Sequence, residues 1–240
     1  MKRAVVIGAS SGIGAELAKQ LSVDYSVIGL AARRTQQLGE LASEIGSETH
    51  IIPMDVSNTG EARQQLHSLI EDMGGVDLAV ICAGTGSINP ELNAELELKT
   101  IDVNVTGFTC LADILMNRFI EQGEGHLVGL SSVAALRGSG ICPAYNASKA
   151  YMSNYLEGLR MKAARVGKSI IVTDIKPGFV DTRMAQGEGL FWVASAQEAA
   201  RQICRLIKRR KTHGYVTRRW RLVAWILKLM PGWMYKRLFK

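Results

Sequence analysis

With 240 residues, 47% of them apolar, the chain is long enough to bury one sizeable core and too apolar to remain disordered. Its four cysteines, Cys82, Cys110, Cys142 and Cys204, lack CxxC or CxxH spacing, which argues against a metal site or a disulfide framework and for reduced, partly buried thiols in a cytoplasmic protein. The net charge of +7 is uneven: residues 201–240 hold thirteen Lys or Arg and no acid, leaving the first 200 residues with 16 basic against 22 acidic side chains, so attraction to an anionic partner belongs to the tail.

Short apolar runs alternate with helical patterns along the chain. Arg3–Gly8 reads as a strand, an apolar run too short for a signal peptide that leads directly into a glycine loop, Gly12–Leu21 as a helix and Ser26–Ala32 as a strand. Thr35–Ile45 is predicted as a helix with Leu38, Leu41, Ala42 and Ile45 on one face. Thr49–Met54 follows as a strand, Thr59–Met73 as a helix and Asp77–Cys82 as a strand. Leu98–Glu121 reads as one long helix, His126–Leu130 as a strand, Tyr145–Val166 as a helix and Ser169–Ile175 as a strand. Ser195 and Glu198 have the spacing of a capping box for a helix over Ala196–Arg210, and Tyr215-Val216 reads as a last short strand. Strands such as Leu78-Ala79-Val80-Ile81 are apolar without alternation, as in a parallel sheet covered on both faces. Right-handed βαβ repetition then predicts an α/β fold, a Rossmann-like doubly wound parallel sheet in three α/β/α layers. The expected organisation is a single dinucleotide-binding catalytic domain over residues 1–217 and a basic amphipathic tail over 218–240.

Two stretches carry chemistry. Gly8-Ala9-Ser10-Ser11-Gly12-Ile13-Gly14 lies between the first strand and the first helix, where glycines permit a tight turn and let backbone N–H groups approach a pyrophosphate at the helix N-terminus. Tyr145 and Lys149 are four residues apart and share a helix face. A free phenol has a pKa of about 10, and a neighbouring ammonium group favours the phenolate, which suits Tyr145 to acid–base work near neutrality. Ser132, thirteen residues upstream, is far enough away to return across a loop to the same substrate oxygen.

The GxxxGxG spacing of Gly8, Gly12 and Gly14, followed in order by Asp55-Val56, Ala83-Gly84, Asn104, Ser132, Tyr145-x-x-x-Lys149 and Pro177-Gly178, resembles the short-chain dehydrogenase/reductase family in its short single-domain branch. The resemblance covers residues 4 to about 210 and implies an oxidoreductase acting on carbonyl or alcohol groups. It implies that Asp55, with Val56 beside it, meets the adenine ring of a dinucleotide, and that Ala83-Gly84 lies against the adenosine ribose. It further implies that Pro177, Gly178, Val180 and Thr182 form the nicotinamide-side loop. Tyr145 would protonate the carbonyl oxygen, Ser132 would hold that oxygen, and Lys149 would bind the nicotinamide ribose and lower the pKa of Tyr145. Asn104 would sit mid-helix, distort it, and position a water that relays protons to Lys149. The chain departs from the family at Cys82, where asparagine is common, so a local change in packing or cofactor affinity is expected there.

Charge selects NADP(H) over NAD. NAD sites carry an acid at the end of the second strand against the ribose 2′-hydroxyl, but here Ala32 occupies that place and Arg33 and Arg34 follow. A guanidinium suits a 2′-phosphate, and Ser10 can assist. Ser11 stands where many NADP-using relatives have an extra Lys or Arg.

The substrate is less legible. Leu136, Ile141, Phe179 and Leu190-Phe191-Trp192, near Gly187 and Gly189, read either as an apolar lid and pocket for a lipophilic carbonyl compound or as a plain anchor for the loop. Trp220–Met230 is apolar over most of its circumference with Arg221 and Lys228 on a narrow polar face. Pro231-Gly232 breaks it, and Trp233–Lys240 repeats the mixture. The stretch is too short to span a bilayer, which needs about 20 residues. Peripheral membrane binding and packing on the body or on a second subunit both remain open, with nucleic acid last because the apolar area would stay exposed. The long helices around 98–121 and 145–166 suggest a homodimer or homotetramer. Two further readings are an epimerase-type keto-reductase on a lipid-linked substrate and a non-catalytic nucleotide sensor; the full Asn-Ser-Tyr-Lys set argues against the sensor.

Overall fold

A computed structural model of the chain describes residues 1–182 and 191–238. Seven parallel strands form one sheet in the order β3-β2-β1-β4-β5-β6-β7: β1 (Arg3–Ile7), β2 (Val27–Ala32), β3 (Glu48–Pro53), β4 (Leu78–Ile81), β5 (Glu124–Leu130), β6 (Ser169–Pro177) and β7 (His213–Val216). The reversal between β1 and β4 splits the sheet into two halves. It opens a crevice at the strand C-termini, where doubly wound sheets bind ligands.

Alternate residues of the central strands feed two cores. Val5, Ile7, Ala79 and Ile81 point to one face, beneath α3 (Thr59–Asp72), α5 (Phe108–Gln122) and α6 (Pro143–Val166), with Leu66, Leu69, Phe108, Leu111, Phe119 and Leu156 among the fully enclosed side chains. Ala4, Val6, Leu78 and Val80 point to the other, beneath α1 (Gly12–Leu21), α2 (Thr35–Glu44) and α7 (Ala196–Lys208). This two-sided burial explains the unbroken apolar runs of β1, β2 and β4. β3, at the sheet edge, is partly exposed along its length.

Most element ends fall within two residues of the sequence reading, and the long helix expected over Leu98–Glu121 runs from Ala94 to Gln122 with a distortion around Asn104, as the family resemblance implies. α4 (Ala94–Ile101) starts earlier because the Asn93 side chain accepts from the backbone N–H groups of Glu95 and Leu96 at 2.9 and 3.4 Å. Asp102–Gly107 then winds as a π-helix before α5 begins. The last residue of the π-helix, Gly107, packs tightly against the loop after β3, where an added Cβ would lie 2.3 Å from the Val56 carbonyl oxygen. Ser195 caps α7 through the Glu198 N–H at 3.1 Å, while the Glu198 carboxylate turns to Arg201 and Gln202 and leaves the capping box half made.

After β7 the chain forms α8 (Trp220–Leu229) and α9 (Gly232–Leu238) at the C-terminal end of the sheet. Trp220 packs directly against Gly178, and its ring lies 5.1 Å from those of Phe179 and Phe191. Arg137 donates to the Met230 carbonyl, its guanidinium lies 5.0 Å over the Tyr235 ring, and the Tyr235 hydroxyl donates to the Gly138 carbonyl at 2.6 Å.

Candidate active site

The glycine turn is shaped by contacts that no side chain could share. Gly8 has φ +91° and donates to the Ala31 carbonyl at 2.7 Å, and a Cβ there would meet the Ala83 nitrogen at 2.6 Å. A Cβ on Gly14 would lie 2.2 Å from the Gly8 carbonyl. Gly12, at φ +57°, faces the Thr182 methyl group across 3.1 Å measured from an added Cβ, which brings the loop after β6 down onto the turn. The N-cap residue of α1, Ser11, is extended and makes no side-chain cap, and the first turn holds no acid, so the positive end of the helix is not offset by its own residues. Ile13 follows, partly buried behind the turn. These are the contours a pyrophosphate-binding turn requires, and the residues fit a dinucleotide.

At the C-terminal end of β2 the two arginines part. Arg34, not Arg33, reaches back over the turn, donating to the Ser10 hydroxyl at 2.8 Å and the Ser11 hydroxyl at 2.6 Å. Arg33 leans the other way, 3.7 Å from the Asp55 carboxylate, with both groups largely in solvent. Burial pushes the Asp55 carboxyl up, but hydrogen bonds from Ser57 and the nearby Arg33 charge outweigh it and hold the pKa below the usual value. Val56 is buried beneath, and Ala32 closes β2 where no acid is present.

At the other end four side chains meet. Ser132 follows β5, accepts from the Ala134 N–H at 3.1 Å and donates towards the Pro177 carbonyl at 3.5 Å. Tyr145 stands on the first turn of α6, which begins with Pro143 at a position that needs no N–H donor. Its ring lies on Gly86, where an added Cβ would be 2.4 Å from the ring edge, and its phenol is near enough to the Ser132 hydroxyl for that group to favour the phenolate. Lys149, one turn on, is 4% exposed; its ammonium donates to the Leu130 carbonyl at 2.9 Å and lies 5.8 Å from the centre of the Tyr145 ring. Asn104, fully buried in the π-helix, accepts from the Thr85 N–H at 2.9 Å and donates to the Thr85 carbonyl and the Ser148 hydroxyl at 2.7 and 2.9 Å. A Cβ on Gly84 would touch both the Lys149 ammonium and the Asn104 amide oxygen, at 3.2 and 3.3 Å, so this glycine joins the two.

The electrostatics differ from the sequence expectation in one respect. Burial raises the Tyr145 pKa despite the nearby Ser132 hydroxyl, and Lys149 does not reverse this. The amine itself gives way: burial brings the Lys149 pKa down to about 8, with Cys82 and Asp174 pulling the other way. Cys82 packs against the sheet core beside Ala83, its thiol pushed up to about 12 by burial.

Some contributors escape sequence reasoning. Gly86, on which the Tyr145 ring rests, is among them. Ser148 and Thr85, which hold Asn104, left no separate signal, nor did the buried cluster behind Ser132, in which Asp174 accepts from Ser131, Lys176 and Ser153. Phe179 and Phe191 lie together under Trp220, with Trp192 5.5 Å from Phe191. Leu136 and Ile141 lie in the segment between Ser132 and Tyr145, Ile141 more than half exposed. Gly187, Gly189 and Leu190 fall outside the described residues.

The family model for short chain dehydrogenase matches residues 2–190. An "uncharacterized oxidoreductase" of Staphylococcus epidermidis is 34% identical over 188 residues, covering 78% of this chain and 81% of that protein. One of Myxococcus xanthus is 36% identical over 188 residues, covering 76% and 74%. Among solved structures, a single-substitution variant of actinorhodin polyketide ketoreductase with NADPH superposes with TM-score 0.77 at 26% identity over 86% of this chain and 90% of that one. A short chain dehydrogenase/reductase of Burkholderia phymatum in complex with NAD superposes with TM-score 0.82 at 21% identity over 94% and 92%, a likeness of fold. A glycine turn under an open helix end, a Tyr145–Lys149 pair at the strand C-termini and these matches lead to one statement: the chain belongs to the short-chain dehydrogenase/reductase family of oxidoreductases.

Proposed function

We propose that the chain is a cytoplasmic NADP(H)-dependent oxidoreductase that interconverts a lipophilic carbonyl compound and its secondary alcohol, with Tyr145 as general acid and base. The observation that carries this reading is the convergence of Ser132, Tyr145 and Lys149 beside the glycine turn. Gly8, Ser10, Ser11, Gly12, Ile13 and Gly14 would hold the pyrophosphate side of the cofactor. Asp55, Val56, Ala83 and Gly84 would hold the adenosine, and Pro177, Gly178, Val180 and Thr182 the nicotinamide side. When bound, the cofactor supplies or accepts the hydride. The preference for a 2′-phosphate rests on Arg34 clasped to Ser10 and Ser11, the Arg33 charge on the same loop, and the missing acid at Ala32.

Each protein group then has one task. The Ser132 hydroxyl donates to the substrate oxygen. Tyr145 gives its proton to that oxygen during reduction, and a pKa raised by burial keeps the proton in place until charge develops there. The Lys149 ammonium stabilises the phenolate left behind and holds the ribose. Asn104, fixed by Thr85 and Ser148, keeps α4 and α5 against the loop after β4 and borders the space around Lys149 from which a replacement proton can come. Phe179, Phe191, Trp192, Leu136 and Ile141 supply an apolar wall, which favours a lipophilic substrate. A homodimer or homotetramer is supported by α6, where Met161 is 64% exposed and Gly158 faces open space.

NADPH oxidation with 2-decanone and with acetone, for the wild type and Tyr145→Phe, tests this. The variant should lose about 10²–10⁴ in kcat/KM while still binding NADPH, 2-decanone should outperform acetone, and NADPH should outperform NADH. Undiminished turnover by the variant would remove Tyr145 from the chemistry, and faster turnover with NADH would reverse the cofactor assignment.

A further inference from the structure

α8 is apolar on two opposite faces. Its inner face is the buried stripe of Trp220 and Ala224, flanked by half-buried Val223 and Leu227. Its outer face is a second stripe, Leu222, Trp225, Ile226 and Leu229, spaced i, i+3, i+4, i+7 and 66%, 64%, 59% and 76% exposed. A surface helix that only packs on its own domain carries polar groups on that outer face. α9 adds exposed Trp233 and Leu238, and Phe191, Trp192 and Val193 are exposed beside the inner-face Trp220, on which Phe191 stacks.

The rim of this surface is cationic. Arg218, Arg219, Arg221, Lys228, Lys236 and Arg237 are all exposed, and among the described residues none of them forms an ion pair. The last acidic residue of the chain is Glu198, so the tail itself neutralises none of this charge. Self-association through this face would set six cations against six. Nucleic acid would neutralise the charge and leave the apolar stripe in water. An anionic lipid surface satisfies both, taking the stripe into the acyl boundary and the cations onto its headgroups, with the tryptophans at the interface.

We infer that the outer face of α8 and α9 is a docking surface for an anionic lipid bilayer. Docked there, the chain lies on the membrane without crossing it; no described helix is long and apolar enough to span one. Trp220 against Gly178, and the Arg137–Met230 and Tyr235–Gly138 contacts, fix the tail to the two segments that flank the cleft beyond Ser132. The mouth of the cleft therefore stands beside the lipid surface. This assignment does not rest on the cofactor or substrate reading, and its test uses neither.

The full chain is sedimented with vesicles of phosphatidylcholine alone and with vesicles of equal parts phosphatidylcholine and phosphatidylglycerol. The wild type should pellet with the anionic vesicles, with binding at least tenfold weaker on phosphatidylcholine alone. Leu222→Glu/Leu229→Glu should remain in the supernatant while keeping the wild-type thermal midpoint by circular dichroism. If that variant is less stable, Trp225→Gln, changed on the same face, should still weaken binding severalfold. Wild type left in the supernatant, or folded variants that pellet like wild type, would overturn the assignment. So would a wild-type dimer in sedimentation velocity that the double variant dissociates and that ignores vesicles, since the stripe would then belong to a second copy.

Discussion

Lys149 holds an ammonium group in a place that disfavours charge. It is 4% exposed, its described contacts are a carbonyl and a thioether, and its pKa falls from 10.5 to about 8 through burial. A depressed pKa on a base means that the unfolded chain binds the proton more tightly. The stabilising contribution is present above pH 10.5, and it is lost as pH falls through about 8. At pH 7 the charged folded form therefore carries a penalty of roughly 3 kcal/mol. Lys149→Met should remove that penalty and leave the Leu130 carbonyl without its donor, which returns about 1–3 kcal/mol. The net expectation is a melting midpoint unchanged or a few degrees higher at pH 7, with turnover lost, and a midpoint below wild type at pH 10.5, where wild-type stability no longer includes the penalty. A variant much less stable than wild type at pH 7 would show that the amine is structurally favourable rather than strained for chemistry.

Among the elements, the glycine turn and the βα succession were legible because they depend on local spacing: glycines between a strand and a helix, apolar residues at strand and helix periods. The pairing of Tyr145 with Lys149 was legible for the same reason. The distortion at Asp102–Gly107 was legible only through the family resemblance at Asn104, and the close approach of the Val56 carbonyl to Gly107, 51 residues away in sequence, was not legible at all. The division of labour between Arg33 and Arg34 was equally hidden, since the Ser10 and Ser11 hydroxyls that capture Arg34 come from another βα loop. Gly107→Ala tests the close approach. Its Cβ would be 2.3 Å from a backbone oxygen that cannot swing aside, so α5 must retreat from the loop bearing Asp55 and Val56. Overpacking of this kind costs about 1–3 kcal/mol, and the displacement of Asn104 should lower turnover by more than the loss of folded protein explains. Gly39→Ala, in α2 and away from the proposed subunit contact, is the matched control: its Cβ faces open space in a helix, so thermal melting should show it neutral or about 0.5–1 kcal/mol more stable. Equal behaviour of the two variants would mean that Gly107 is not held against the loop.

At the scale of the whole molecule, charge and acid response are separated in space. The first 200 residues carry more acid than base while the last 40 carry only base, a division plain in the sequence because it needs no folding to see. The acid-sensitive joint of the body was not plain, because His126 is one polar residue in an apolar strand. In the fold it is 8% exposed on β5, and its Nε2 meets the Thr173 hydroxyl of β6 at 2.7 Å. That hydroxyl donates at 2.6 Å to the Lys211 carbonyl between α7 and β7, so the ring supplies the proton and ties β5 and β6 to the connection before β7 through one neutral tautomer. Burial, with the Arg210 charge adding to it, lowers the His126 pKa from 6.5 to about 4. The unfolded chain takes up the proton first, so the contribution is whole above pH 6.5 and is lost as pH falls towards 4. At pH 4.5 the loss is roughly 2–3 kcal/mol, a large share of a typical domain's stability of about 5–15 kcal/mol. His126→Gln keeps a donor near the same place and has no proton to gain. Urea unfolding should therefore find it somewhat less stable than wild type at pH 7 and as stable or more so at pH 4.5. Two parallel stability–pH curves would move the acid-sensitive joint to the carboxylates of the body.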